Sequence, residues 1–265
     1  MSKSKKNFPD PNLIFEKYGA DALRFYLMQS NLMKAQDLNF KESSLNEIYR
    51  KVIVILSNVA RFYTLFGQGN KDLSSPSTEN VLDKWIVSET HKLVKECTNS
   101  LDEYDTVVAC HSIWNFVDDL STWYVRRSRD RFKSEDVAVR EPALKTFAWV
   151  LHTLGKVIAP ICPYISEEIQ TAFRTCGADV KESIHLEDWP AFDTELIHPI
   201  VSEKMKLIRE IVSQGLKARE EVKIPVRQAL GDATITLKED EAKDIDDYLS
   251  LVCDELNIKK SSIVG

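Results

Sequence analysis

Apolar positions recur every three or four residues over most of the chain, which is the period of a helix with one buried stripe. The plainest run is Ile48, Val52, Ile55, Val59, Phe62 and Phe66, ended by Gly67. It predicts about six helical turns, opened by a capping box at Ser44-Leu45-Asn46-Glu47. Before it, Asp10-Pro11 reads as an N-cap followed by proline in the first turn, and a short helix is expected to stop at Gly19. A second helix starts near Ala20 and carries Leu23, Tyr26, Leu27 and Ser30, followed by a polar, extended stretch over 33–40. Residues 68–80, rich in Gly, Ser, Pro and Asn, predict a mobile loop.

Further helices are expected over 81–101, then from a cap at Asp105 to about Lys133, and then from Glu141-Pro142 through Leu144, Phe147, Leu151, Leu154 and Ile158. Pro160 and Pro163 break that one, and the next runs from Tyr164 to about Thr175. Long amphipathic helices with short links make an antiparallel helical bundle.

After residue 180 the pattern changes. A short strand is expected at 184–186, with Trp189-Pro190 as an anchor, and a charged helix over 195–221. Residues 224–230 and 233–237 alternate like two strands of a hairpin turned at Gly231-Asp232. A helix over 240–253 and a last strand over 258–264 complete a small α+β domain. The fold class is therefore mainly α, with a division into 1–40, 41–193 and 194–265.

Composition narrows this picture. Of 265 residues, 43% are hydrophobic, enough for a core, and 29% are charged, enough for a solvated surface. No apolar run reaches the ~18 residues of a membrane span, and no signal peptide is legible. Cys97, Cys110, Cys162, Cys176 and Cys253 are widely spaced without a CxxC pair, so reduced thiols are expected, and neither zinc nor disulfides. The five histidines show no spacing suited to a nucleophile or a metal. A net charge of −6 means that any nucleic-acid contact must come from a local basic patch.

Two such patches stand out. The opening MSKSKKN places Lys3, Lys5 and Lys6 among small residues, a loop suited to a phosphate. WYVRRSRDRF, residues 123–132, packs four arginines into six positions. At regular helical spacing Trp123, Arg127 and Arg131 share a face, with Arg126 and Arg129 on neighbouring faces. These arginines suit phosphate forks and base stacking. The alternative places some of them in ion pairs with Asp118, Asp119 or Asp130, with Trp123 and Phe132 in the core.

Four stretches carry a family resemblance. MSKS and the continuation FPDPNLIFEKYGADALRFYLM resemble the KMSKS loop and its sequel in the isoleucine, valine and leucine enzymes of the class I aminoacyl-tRNA synthetases. NFVDDLSTWYVRRSRDRF is similar to the anticodon-binding bundle, in the isoleucine branch above all. APICPYISEEI and AREEVKIPVRQAL match further segments, in the family's order. The resemblance implies Ser2, Lys3 and Ser4 on ATP, with Lys3 stabilising the phosphates during adenylation, and Mg2+ in the parent enzyme.

It further implies tRNA(Ile) as partner, gripped by Arg126, Arg127, Arg129 and Arg131, with Lys223 and Arg227 as further candidates. A catalytic domain of the same enzyme, a cytoplasmic location and a monomer follow from the same likeness. The HIGH element, the editing insertion and a terminal zinc motif are not in these residues, so adenylation by this chain alone is not expected. The rivals are a valine or leucine enzyme, a non-catalytic RNA-binding module, and a helical scaffold for a protein partner.

Overall fold

The computed structural model describes residues 10–69, 72–76, 79–238, 243 and 245–264. They form two compact units, residues 1–78 with 89–197, and residues 79–88 with 198–265.

The larger unit is a helical bundle. Helix α1 (Pro11–Met28) is capped by the Asp10 carboxylate and bends at Gly19, whose φ of 77° and ψ of 168° break the helical path as the sequence predicts. A short 3₁₀ turn, Asn31–Lys34, follows. Helix α2 (Glu42–Ile48) then runs through a π-helical segment, Tyr49–Ile53, into α3 (Val54–Phe66), which stops at Gly67. The long apolar stripe is thus one helical rod. Its start is corrected to Glu42 behind Lys41, so Ser44 lies inside the helix and caps nothing.

The segment expected to be a mobile loop is tied down where it is described. Gly69 N–H donates to the Cys176 carbonyl (3.1 Å), and Asp72 pairs with Lys145 at 2.7 Å.

Helix α4 (Val81–Asp102) is followed by α5 (Thr106–Asp118), whose first turn is capped by Asp105. A second π-helical segment, Asp119–Val125, leads into α6 (Arg126–Phe132). Helix α7 (Val137–Ile158) starts five residues before the expected Glu141-Pro142. Asp136 Oδ1 accepts from Ala138 N–H at 2.9 Å and nucleates it there. Pro142 sits inside the helix, where it deprives the Ala138 carbonyl of its partner. Ala138 is exposed, so water can satisfy that carbonyl.

Helix α8 (Pro163–Thr175) has no side-chain cap of its own at Cys162. Asp21, buried in α1, supplies one: its carboxylate accepts from Ile165 N–H (2.7 Å) and Tyr164 N–H (3.4 Å). Arg24 adds donations to the carbonyls of Ile161 (2.8 Å) and Pro160 (3.0 Å). The turn between α7 and α8 is therefore held by α1.

The core is an aromatic chain. Tyr63 meets Phe173 (4.5 Å between centroids) and Phe147 (5.6 Å), Phe147 stacks on Phe132 (5.1 Å), and Phe132 meets Phe62 (5.9 Å). Residues 184–186, expected as a strand, form a 3₁₀ turn initiated by Ser183. Trp189 Nε1 donates to Thr98 Oγ1 (2.8 Å) and Asp193 N–H to His91 Nδ1 (3.1 Å), anchoring this irregular segment on α4. Of the five cysteines, four are buried and Cys253 is half-buried, and all are free thiols.

In the smaller unit, α9 (Pro199–Glu221) and α10 (Leu249–Leu256) accompany two strands, β1 (Leu230–Thr236) and β2 (Ile258–Val264). The strands pair in parallel, Leu230 with Ile258 through Thr236 with Val264. This corrects the expected hairpin. Gly231 and Asp232 lie within β1, and residues 224–229 form turns. Arg219 gives the reason: its buried guanidinium donates to the carbonyls of Pro225 (3.3 Å) and Gln228 (3.1 Å), removing them from any ladder. It also donates to Leu256 (2.6 Å) and Asn257 (3.2 Å). Gly215 of α9 lets α10 come close, since a Cβ there would lie 2.4 Å from Leu256 Cδ1.

Candidate nucleic-acid interface

Among the described residues of the bundle, a groove joins exposed cations to aromatic rings. It has a volume of 440 Å³ and is lined by Asn58, Val59 and Phe62 of α3, Ser121 to Trp123 of the π-helical segment, and Val125, Arg126 and Arg129. Two features of local structure build it. On α3, the half-buried Phe62 faces the core with one edge and the groove with the other, and Val59 forms part of the floor. On the facing rod, the wide π turn rotates the residues that follow. The Arg126 guanidinium comes to lie 6.0 Å from the Trp123 ring centroid.

Of the two helical neighbours that follow Trp123, Arg126 at i+3 and Arg127 at i+4, it is Arg126 that lies over the ring, a choice that helical spacing alone does not make. Arg126 Nε donates to the Thr122 carbonyl at 2.7 Å, which fixes the guanidinium plane. Arg129, one turn on, lies 5.6 Å from the Phe62 ring centroid. Both arginines are exposed. Each is a cation laid over an aromatic face at the rim of an apolar floor, an arrangement that can take a planar π system and the phosphate beside it.

The other two arginines of the cluster face elsewhere. Arg127 is half-buried, with its Nε shut off from solvent, and half-buried Arg131 has Nη1 3.4 Å from Ser128 Oγ. Trp123 and Phe132 are buried, as the alternative reading had it, although Trp123 still borders the groove. Lys223 and Arg227 are exposed in the smaller unit, on the turns between α9 and β1 and not on a strand. Lys223 adopts a left-handed φ of 58° just past the end of α9. Ser2, Lys3 and Ser4 lie outside the described residues. Among the described residues no group of three or more His, Cys, Asp or Glu side chains could hold a metal ion, and no helix is long and apolar enough to cross a membrane.

The buried ionisable groups lie away from the groove. Burial lowers His152 to about 4 and also lowers His91. Burial raises Asp21, and the two backbone N–H donors on its carboxylate oppose this.

Comparison with known proteins bears on this geometry. Residues 83–235 match the family described as the anticodon-binding domain of tRNA ligase, and residues 1–41 match tRNA synthetases class I (I, L, M and V). An isoleucine--tRNA ligase of Chlamydia trachomatis serovar L2b is 38% identical over 264 residues, covering 98% of this chain and 25% of the relative. The isoleucine--tRNA ligase of Protochlamydia amoebophila is 36% identical, with the same coverage. The chain therefore spans about a quarter of the length of the curated relatives it matches. Among solved structures, a crystal structure of the ternary complex of Agrobacterium radiobacter K84 agnB2 LeuRS-tRNA-LeuAMS superposes with a TM-score of 0.57. At 18% identity, over 75% of this chain and 23% of that one, it is a likeness of fold.

Proposed function

The chain belongs to the anticodon-binding domain family of the tRNA ligases, and we propose that its bundle grips the anticodon arm of a tRNA through the groove between α3 and the π-helical segment. The observation that carries this reading is the pair Arg126 and Arg129, exposed side by side over aromatic rings. In a chain of net charge −6, such a local site is where a polyanion gains most. Unstacked loop bases lie on the rings, and the guanidinium groups meet the phosphates. Arg127 and Arg131 support the helix from its half-buried sides and contribute mainly to the local field. Lys223 and Arg227 are proposed as secondary phosphate contacts from the smaller unit.

For the whole protein, the identity to isoleucine--tRNA ligases supports activation of isoleucine with ATP and Mg2+ and its transfer to tRNA(Ile) in the cytoplasm. Ser2, Lys3 and Ser4 are then the proposed ATP contacts, with Lys3 stabilising the developing phosphate charge. Residues 1–40 are proposed as the link to the catalytic domain, 41–193 as the anticodon-binding bundle, and 194–265 as the accessory α+β domain.

A titration of fluorescently labelled tRNA(Ile) against wild type and the Arg126→Ala, Arg129→Ala double variant tests the reading. The expected result is at least a roughly tenfold loss of affinity, with a salt slope shallower by about 1.4. Equal affinity and equal slope would contradict it.

A further inference from the structure

We infer that the free edge of β1, with the neighbouring stripe of α9, receives a further β-strand from the part of the full-length protein outside these 265 residues. The inference rests on the family reading, in which these residues belong to a longer ligase, and not on the tRNA contact. The smaller unit holds a groove of 780 Å³, bordered in succession by Ala233, Thr234, Ile235 and Thr236. Successive residues of a strand point to opposite faces, so a groove that touches four in a row runs along the strand's edge. Its other wall is one side of α9, with Leu207, Ile211, Ala218 and Val222 at helical spacing. Helix α9 therefore carries two apolar stripes. Met205, Ile208 and Val212 are buried, whereas the stripe along the groove ends in Val222, which is 64% exposed.

An extended polypeptide is what fits there. Among the described residues the sheet has two strands, so β1 is paired on one side only. Parallel strands ordinarily sit in larger, covered sheets. The edge is also unguarded. Strand β2 carries exposed Lys259 and Lys260, charges that discourage edge pairing, whereas β1 has neither a charge nor a proline from Ala233 to Thr236. The lining does not suit a polyanion. Its charged members are Glu210 and Arg219, and Arg219 donates to four backbone carbonyls. The occupant is therefore an uncharged strand, apolar at every second residue, that adds its backbone to β1 and its side chains to the α9 stripe. Length supplies the source: this chain covers 25% of the Chlamydia trachomatis relative, and the rest of such a protein has ample chain for one strand.

The test compares the full-length protein with the 265-residue chain. Amide exchange over residues 233–236 should be at least roughly tenfold slower in the full-length protein. A photocrosslinker placed at the exposed Thr234 should join a segment of the same molecule outside residues 1–265. Val222→Asp should leave the melting of the 265-residue chain unchanged, because the side chain is exposed there, and should erase the extra protection in the full-length protein. Equal exchange in the two proteins overturns the inference, as does a crosslink to a second copy or to residues within 1–265. Protection that survives Val222→Asp, or a lower melting temperature of the Val222→Asp chain by itself, also overturns it. None of these measurements involves tRNA, so the titration of the double arginine variant succeeds or fails independently.

Discussion

Two of the grooves among the described residues use arginine in opposite ways. In the bundle, Arg126 and Arg129 lie exposed at the rim, over Trp123 and Phe62. In the smaller unit, a larger groove of 780 Å³ runs along α9 and β1, lined mainly by Leu207, Ile211, Val222, Leu237 and Ile258. Its arginine, Arg219, is 5% exposed and donates to four backbone carbonyls. Residue type alone would rank all three as candidate RNA contacts. What separates them is where the guanidinium groups lie: Arg219 is buried and holds turns in place, whereas Arg126 and Arg129 are exposed over aromatic rings.

That contrast breaks most sharply at Arg219. Arg219→Met should destabilise the smaller unit by about 3 kcal/mol, because four backbone carbonyls, that of Leu256 buried, lose their donor together. Urea unfolding would measure it, and tRNA affinity at the groove of the bundle should follow only the folded fraction. A loss within 0.5 kcal/mol, the usual ceiling for a surface substitution, would mean that Arg219 is not a structural tie.

Next in size is His152, buried in α7 and 7% exposed. Its folded value of about 4 lies below the ordinary 6.5 of the unfolded chain. Between those pH values the unfolded state binds more protons, so stability is complete above about 6.5 and falls as pH drops toward 4, by up to about 3 kcal/mol. His152→Phe should flatten that limb of the stability profile. Asp21 works in the opposite sense: its raised value favours the folded state as pH falls through the carboxylate range.

Asp21→Ala should cost about 1–2 kcal/mol, as for a lost helix cap, and Asp21→Asn much less, because an amide oxygen still accepts from Ile165 N–H. Smallest of all, the double substitution Arg126→Ala, Arg129→Ala should change stability by no more than about 0.5 kcal/mol, although it removes most of the proposed RNA contact. A binding defect without a folding defect is the signature that distinguishes these arginines from Arg219.

The helical rods were legible because α3, α4 and α7 each carry an apolar stripe long enough to fix a period. Their ends were less so. Asp136 captures the start of α7 ahead of Pro142, and Lys41 precedes α2 where Ser44 offered a better cap. The misread hairpin has a physical cause. Gly231-Asp232 is a strong turn signal locally, but β1 finds its partner in β2, 28 residues away at Leu230↔Ile258, and that pairing decides. The arginine cluster was legible as a cluster. Which members reach the groove was not, because Arg126 and Arg127 are both helical neighbours of Trp123 and only the packing of the rod leaves the first exposed and the second half-buried.

Amide hydrogen exchange with and without saturating tRNA(Ile) tests the proposed contact between tRNA and the bundle most directly. Slowed exchange concentrated in residues 54–62 and 119–129 is the predicted result. Protection confined to residues 199–264, or none at all under conditions where the tRNA is bound, would contradict it.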